Sequence, residues 1–550
     1  MDKESFRKEL AAPVILGVIF AVSRILYSRA GVQFDAGTII RTWHFLDMYY
    51  LENDLWRSVF YLHTQPPLMN LITGIGIQLF PESYASLFRA FYLLGGFLLA
   101  LSIYFLGNQL GFPRYLSFPL AFWFALSPAT VVFENEFFYT YPMVVLLTLS
   151  AVFLVRFLEK RHVLDALIFS LMLACMALTW SLFHLFWLFG CFGIVAFLLK
   201  GNRRKALWLL PAFLLAFAWY AKNGVLYDSF TASSWAGLNL FKTVTLRIPG
   251  EVRKRWVKEG VVSKLALVPP YRSPDVYLKY FPDTPLTGIP LLDDINMPGG
   301  YRNQHHLSYV YAGERYLKDS VRMIIHAPGY YLETIPYSLY IYLHSASDYE
   351  PTRDIRIPID GWDTCWNRLF YGQWQKDEDL GERARTFSPD HLAWWLAIVF
   401  FIAILVTPVI LWRQRANLYE PANALILFMF WNLLFVSAAG ILLDIGENNR
   451  TRFIVDPFIL LLSVYLIHRA VLSLKIKNEI NEQTEDLPGC STNDETIAIQ
   501  GSLSPVRQLW FLPIRSFSPR RALRTPRKSK KLCALCGLRG SFLQDFNQNC

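Results

Sequence analysis

Charge is what this chain has least of. Only 17 % of its 550 residues are Asp, Glu, Lys or Arg, against about 25 % in a soluble globular protein, and that shortage excludes an ordinary water-facing domain. Cysteine is scarce and odd in number at seven, so at least one is unpaired within the chain and the count decides little. Cys175 and Cys191 fall in apolar stretches, where a small buried side chain is expected. Cys533 and Cys536 make a lone C-x-x-C without the second pair that a structural zinc site needs. There is no P-loop, no glycine-rich nucleotide fingerprint, no H-E-x-x-H and no serine elbow. A soluble nucleotide donor is therefore not indicated, and neither is a cofactor. No metal site is expected either, because Asp293 and Asp294 are adjacent but lack a third partner. No internal repeat is visible.

What is there is hydrophobic: 54 % of residues are apolar and 16 % aromatic. Apolar runs at 12–28, 84–106, 115–132, 139–158, 163–179, 182–199, 206–221, 391–412, 421–442 and 453–472 each approach the length needed to cross roughly 30 Å of hydrocarbon as a helix. The expected fold is an all-α polytopic membrane bundle of about ten to twelve transmembrane helices. The first run follows MDKESFRKEL and lacks a small-residue cleavage site, so it reads as a retained helix. The stretch 67–80 is too short for a crossing and reads as interfacial or re-entrant. With it set aside and the N-terminus inside, the inner loops hold Arg114, then Arg156, Lys160 and Arg161, then Lys200, Arg203, Arg204 and Lys205, and lastly Arg413 and Arg415. The short outer connections near 132–138 and 180–181 hold no Lys or Arg, as the positive-inside rule asks.

Four parts follow: an N-terminal bundle at 1–221 with its first outer loop at 29–66, an outer region at 222–390, closing helices at 391–472, and a tail at 473–550. The outer region is rich in tyrosine, and 328–345 alternates aromatic and polar groups around Pro336, which suits a helix lying at the interface. From Arg507 to Lys531 the tail carries nine basic residues and no acid. That composition predicts disorder and an affinity for anionic lipid rather than nucleic acid.

Carboxylates gather in the outer segments. Asp35 lies in the first loop, Glu134 and Glu136 in the connection SPATVVFENEFFYTYP, and Asp444 and Glu447 beyond the penultimate span. Acids at a membrane boundary are functional candidates because burying them unpaired is costly. Asp35, Glu134 and Glu136 are the catalytic candidates; Asp47, Glu52 and Asp54 read as solvated loop residues. His63, Arg89, Lys222 and Arg450 sit at the same level and could clamp a phosphate, Arg by a bidentate fork and Lys as a point charge. Arg450 and Arg452 read equally well as interface anchors.

The order of an acidic first loop, QPPL, a short amphipathic stretch ending LFPESYASLFRA, and a long helix resembles the GT-C class of membrane glycosyltransferases, which includes the lipid A aminoarabinose transferase and the protein O-mannosyltransferases. Asp35 stands about thirty residues before Pro66 and Pro67, and Arg89 matches the arginine that follows in that class. ENNRTRFIVDPFILLL (447–462) is similar to its late E-x-R motif, and KNGVLYDSFTASSWAGLNL (222–240) to a segment of bacterial members that use polyprenyl-phosphate sugars. The resemblance implies substrate-binding positions at Gln65, Trp235, Asn239 and Glu447. Gln65 replaces the lysine that binds phosphate in the aminoarabinose type, so His63, Arg89 or Lys222 would have to supply that charge.

The resemblance implies an inverting transferase that moves a sugar from a polyprenyl-phosphate carrier to a lipid, glycan or protein acceptor on the outer side, with Asp35 as general base. Its membrane would be the bacterial inner membrane or the endoplasmic reticulum. The rival is a transporter or flippase of a lipid-linked saccharide. Against it stand the missing repeat and charges gathered at helix ends rather than mid-span.

Overall fold

In a computed structural model the described residues are 3–376 and 388–485. Among them the chain is a bundle of α-helices with short 3-10 turns and two isolated β-bridges. Seven helices are long and apolar enough to cross a membrane: Ala11–Arg29, Tyr84–Gln109, Thr140–Lys160, Arg203–Tyr227, Trp394–Arg413, Pro421–Leu442 and Asp456–Lys475. The protein is a polytopic membrane protein, and the expected all-α bundle is present.

The expected run at 115–132 is not one helix. It breaks into Arg114–Leu126 and Pro128–Glu134, which meet at 56°. Pro128 explains the break, since its ring drives Ser127 out of the helical region. Ser127 is extended, and its hydroxyl caps the next helix by accepting from the Thr130 N–H at 3.2 Å. The carbonyls freed at the break find donors on the first helix: Arg24 Nη1 reaches Ala125 O and the Tyr27 hydroxyl reaches Leu126 O, each at 2.8 Å. The expected spans at 163–179 and 182–199 are the shorter helices Val163–Thr179 and Leu185–Leu198. The helix expected at 206–221 runs on to Tyr227, so Lys222 lies on it rather than closing it.

The connections sort to two ends. The first loop meets the 135–137 connection, and Arg450 of the last connection meets Tyr139. At the other end Lys200 lies over the Tyr419 ring at 4.9 Å, and the ring of Phe112 meets His468. This is the sorting that alternating crossings require.

The short helix Leu68–Leu79 is tied to the first loop: Asn70 Oδ1 accepts from the Leu46 N–H at 2.7 Å, and Gln78 Nε2 donates to Leu51 O at 2.9 Å. The 222–390 region has its own core, built by Ala236–Thr245, Gly250–Lys258 and Ser308–His326 around Phe241, Trp256, Tyr277, Tyr309 and Tyr316. Two of these helices cross in backbone contact. A Cβ on Gly313 would fall 2.0 Å from Ser234 O, and one on Gly237 would fall 1.9 Å from Gly313 O. Pro328–Tyr342 is a helix with Pro336 inside it, and its C-terminal half is buried. After it, Ile355 and Ile359 cover Val131 and Val132, while Trp366 and Tyr371 pack near Trp123 and Leu126. The segment 355–371 thus covers the bent pair.

The last helix, Asp456–Glu485, passes the expected boundary at 473. The basic run 507–531 and the C-x-x-C at Cys533 and Cys536 lie outside the described residues.

Candidate active site

Asp35 is fixed by its backbone. Its N–H donates to Asn135 O at 2.7 Å and its carbonyl accepts from the Phe137 N–H at 3.0 Å, a parallel bridge that sets Asp35 beside Glu136. The Asp35 carboxylate accepts from the Gly37 N–H at 2.8 Å and pairs with Arg41. Glu136 is buried, and its Oε2 has no hydrogen-bond partner. Burial pushes the Glu136 carboxyl up to about 8, with Glu447 and Asp35 adding to the effect and Arg450 opposing it. At neutral pH that group is mostly protonated.

Opposite stands Arg450, 2 % exposed and caged by aromatic rings. Its guanidinium carbon lies 4.8 Å from the Phe138 centroid, 5.0 Å from Trp180, 5.2 Å from Tyr139 and 5.3 Å from Tyr349. Aromatic faces of this kind stabilise a cation without neutralising it. Glu447 pairs with Nη2, while Nε is left without a partner. Burial works against the charged form of Glu447, yet Arg450 and Lys242 hold its carboxyl below the ordinary range. Asp444 lies 3.9 Å from Lys242, and its carboxyl is raised by burial and by Glu447.

His44 joins the cluster edge-on to Phe138, Tyr139 and Trp235. Burial holds its imidazole down at about 4, with Arg450 acting the same way against Glu447. Tyr271 packs against the cluster, its hydroxyl donating to Asn239 Oδ1 and its ring edge-on to Trp235. Trp235 also stacks on His305 at 6.2 Å, and its buried Nε1 has no partner.

The expected phosphate cations separate. Arg450 is in the cluster. Lys222 instead donates to Leu62 O at 2.6 Å and sits 3.5 Å over the Trp219 ring. Arg89 is exposed and lines a minute cavity with Arg24 and Glu134. His63 is buried and neutral: Nε2 faces His305 O at 2.8 Å and so carries the proton, leaving Nδ1 to accept from Ser234 Oγ at 2.8 Å. Burial lowers its pKa to about 3. Gln65 is buried with an unpartnered Oε1 beside His44, in a cavity of about 10 Å³ that is too small for a ligand.

Glu134 does not reach the cluster. Arg24 grips it bidentately at 2.7 and 2.8 Å, and the Tyr141 hydroxyl donates to it at 2.8 Å. Asp47 was expected to be solvated but is buried: it caps Met48–Asn53 through the Tyr49 N–H at 2.9 Å and accepts from the Gly299 N–H at 3.0 Å. Arg450 and Arg452 are buried rather than snorkelling, because each has interior partners. Arg452 donates to the carbonyls of Tyr342 and His344 and pairs with Asp456 at 2.9 Å, closing the end of Pro328–Tyr342. Asn449, in the N-R-T word, is buried and donates to Ser345 O at 2.9 Å. Tyr277, Tyr309 and Tyr316 build the core of the 222–390 region instead of facing a substrate. Asp293 spends its carboxylate on the N–H groups of Thr287, Gly288 and Ile289. Among the described residues no three acidic, histidine or cysteine side chains converge as metal ligands.

Sequence reasoning missed Arg41, His44, Tyr139 and Tyr349. Only Arg41 carried a signal, as a cation six residues past a suspected catalytic acid.

No protein-family model matches the chain, and no curated protein matches it. Solved structures do match, among them two oligosaccharyltransferase structures. One is the archaeal oligosaccharyltransferase AglB from Archaeoglobus fulgidus in complex with an inhibitory peptide and a dolichol-phosphate, at 11 % identity and a TM-score of 0.31, covering 92 % of this chain and 56 % of that one. The other is the Archaeoglobus fulgidus oligosaccharyltransferase in the apo form, at 12 % identity and a TM-score of 0.31, covering 92 % and 55 %. The chain spans about half the length of these structures, and overlap at that TM-score is loose.

Proposed function

We propose that this protein is an integral membrane glycosyltransferase of the GT-C type. In this reading it transfers a sugar from a polyprenyl-phosphate carrier to a lipid, glycan or protein acceptor on the outer side of its membrane. The observation that carries the reading is the pairing of two unlike carboxyl groups, Asp35 and Glu136, beside a caged arginine. Asp35, the more exposed, takes the proton from the acceptor hydroxyl as its oxygen attacks the anomeric carbon. The bond to the carrier phosphate breaks on the opposite face, its electron pair leaves on the phosphate, and the anomeric centre inverts. Arg450 supports the charge growing there by taking a phosphate oxygen in place of Glu447. Glu136 is mostly neutral at pH 7, so it does not repel that phosphate and can donate to it. His44, also uncharged, serves as a wall rather than a second base.

Purified protein given a panel of radiolabelled polyprenyl-phosphate sugars should transfer label from at least one of them to an acceptor. Intact lipid-linked sugar crossing vesicles with no transfer would make the protein a transporter instead. Orientation has its own test. Tyr280→Cys should be labelled by an impermeant thiol reagent from outside intact cells and Arg203→Cys should not; the opposite pattern would put the cluster on the cytoplasmic side.

A further inference from the structure

Beside the cluster lies a cavity of about 650 Å³, a size suited to a small ligand or a sugar headgroup. One wall is the first outer loop, with Arg41 and Trp43; the other is the 296–305 loop, with Tyr301 and Arg302. The second wall is braced by a bridge between Asn296 and Arg302 and by the Met297 N–H donating to Tyr301 O at 2.7 Å. Arg302 is exposed and has no ion pair among the described residues. Arg41 is paired, but to Asp35, and its side chain is 60 % exposed. An ion pair so exposed is weak and exchangeable.

We infer that this cavity receives an acceptor bearing a phosphate group, held between Arg41 and Arg302, and that the phosphate draws Arg41 away from Asp35. The inference rests on the glycosyltransferase reading for the role of Asp35, though not for the site itself. Two guanidinium forks on facing walls suit a tetrahedral anion, which has oxygens enough for both. Trp43 and Tyr301 offer aromatic faces to the body of the acceptor. As long as Arg41 holds Asp35, both carboxylate oxygens are engaged, one by the Gly37 N–H and the other by Arg41, and neither is open to an acceptor hydroxyl. An uncharged acceptor has nothing with which to displace that arginine. The site would thus select its acceptor twice, once by binding and once by releasing the base.

Binding can be read apart from transfer. The full chain, in nanodiscs of phosphatidylcholine, is titrated with radiolabelled glucose 6-phosphate and with glucose. The phosphate-bearing probe should bind at least tenfold more tightly, and Arg302→Ala should remove at least tenfold of its affinity. Because Arg302 is an exposed loop residue, the variant should keep the thermal midpoint of the unaltered protein. Short-chain phosphatidic acid serves as competitor: displacement below the concentration at which glucose 6-phosphate displaces itself assigns the phosphate to a lipid headgroup, and the reverse order assigns it to a sugar. Equal binding of glucose and glucose 6-phosphate, or an Arg302→Ala variant that binds as before, overturns the inference. In the transfer assay Arg41→Ala should lower transfer to a phosphorylated acceptor at least tenfold and raise transfer to an uncharged one, because nothing then holds Asp35. A parallel fall for both acceptors would overturn the release of the base. A protein that binds the phosphate here but transfers nothing loses the glycosyltransferase reading and keeps the site.

Discussion

Two arginine–glutamate pairs lie close together in this fold and behave differently. In the first, Arg24 and Glu134, both carboxylate oxygens are held, and the remaining guanidinium nitrogen serves Ala125 O at the helix break. In the second, Arg450 and Glu447, the arginine keeps a free Nε and the neighbouring Glu136 a free Oε2. The first pair is closed and holds a bend; the second is incomplete and leaves polar atoms for something else to satisfy. Burial alone does not separate structural from functional charge, since both arginines are buried or nearly so. What differs between these two pairs is the unsatisfied polar atoms at the second.

The largest expected effect breaks the closed pair. Arg24→Ala leaves Glu134 buried without its partner, a loss of about 3–5 kcal/mol by analogy with other buried pairs. It should appear as a sharp fall in thermal stability in detergent. Replacing both residues together, Arg24→Leu with Glu134→Leu, should recover most of that stability and keep transfer. A stable double variant that is inactive would return Glu134 to the catalytic candidates.

Next is the base. Asp35→Asn keeps the side chain's shape and its place on the 135–137 connection but removes its basicity, so transfer should drop by about 10²-fold or more with the thermal midpoint unchanged. Asp47→Asn should do the opposite, keeping most of the transfer and losing about 1 kcal/mol of stability, since one amide oxygen cannot replace both carboxylate oxygens that accept from the Tyr49 and Gly299 N–H groups. If Asp35→Asn turns over normally, the base lies elsewhere.

How much of this could be read from the chain itself differs between the pairs. The spans were legible because twenty apolar residues in a row have few alternatives. The break at Ser127 was written in the dipeptide Ser127–Pro128 but hidden by unbroken hydropathy on both sides. Arg24 was overlooked for the same reason, as a single charge inside an apolar run. Glu134 and Glu136 could not be told apart, since a single residue separates them and only the turn at Asn135 sends one into the bundle and the other toward Asp35. The cage around Arg450 is assembled from Phe138, Tyr139, Trp180 and Tyr349. Trp180 and Tyr349 are too distant in sequence for any local pattern to join them.

A milder change sharpens the comparison at Arg450. Arg450→Lys keeps the charge but loses the planar fork and its stacking on the rings. Donor affinity should weaken by roughly 1.5–3 kcal/mol, the scale of a hydrogen bond to a charged group. The effect should lie mainly in KM if the arginine holds the carrier phosphate in the ground state, and in kcat if it acts on the departing one. Arg24→Lys should leave KM alone. A change in KM from Arg24→Lys would mean that the closed pair also senses the donor.

The smallest effect concerns protons. In the folded chain the Glu136 carboxyl sits at about 8, above its ordinary 4.5, chiefly because it is buried. The folded state therefore holds a proton that the unfolded chain releases at lower pH. Stability from this group is complete below the unfolded value, declines as pH rises between the two, and is gone once pH passes the folded value. Other buried acids titrate as well, so the informative quantity is the difference from Glu136→Gln, which cannot ionise. Between pH 6 and 9 the unaltered protein should lose thermal stability relative to that variant. If neutral Glu136 also assists the departing phosphate, transfer should fall as pH rises through about 8, and Glu136→Gln, which still donates a hydrogen bond, should keep part of its activity and lose that falling limb. Parallel stability curves for the two proteins would show that Glu136 ionises as an ordinary surface acid, and the contrast between the closed pair and the incomplete one would then rest on Arg450 alone.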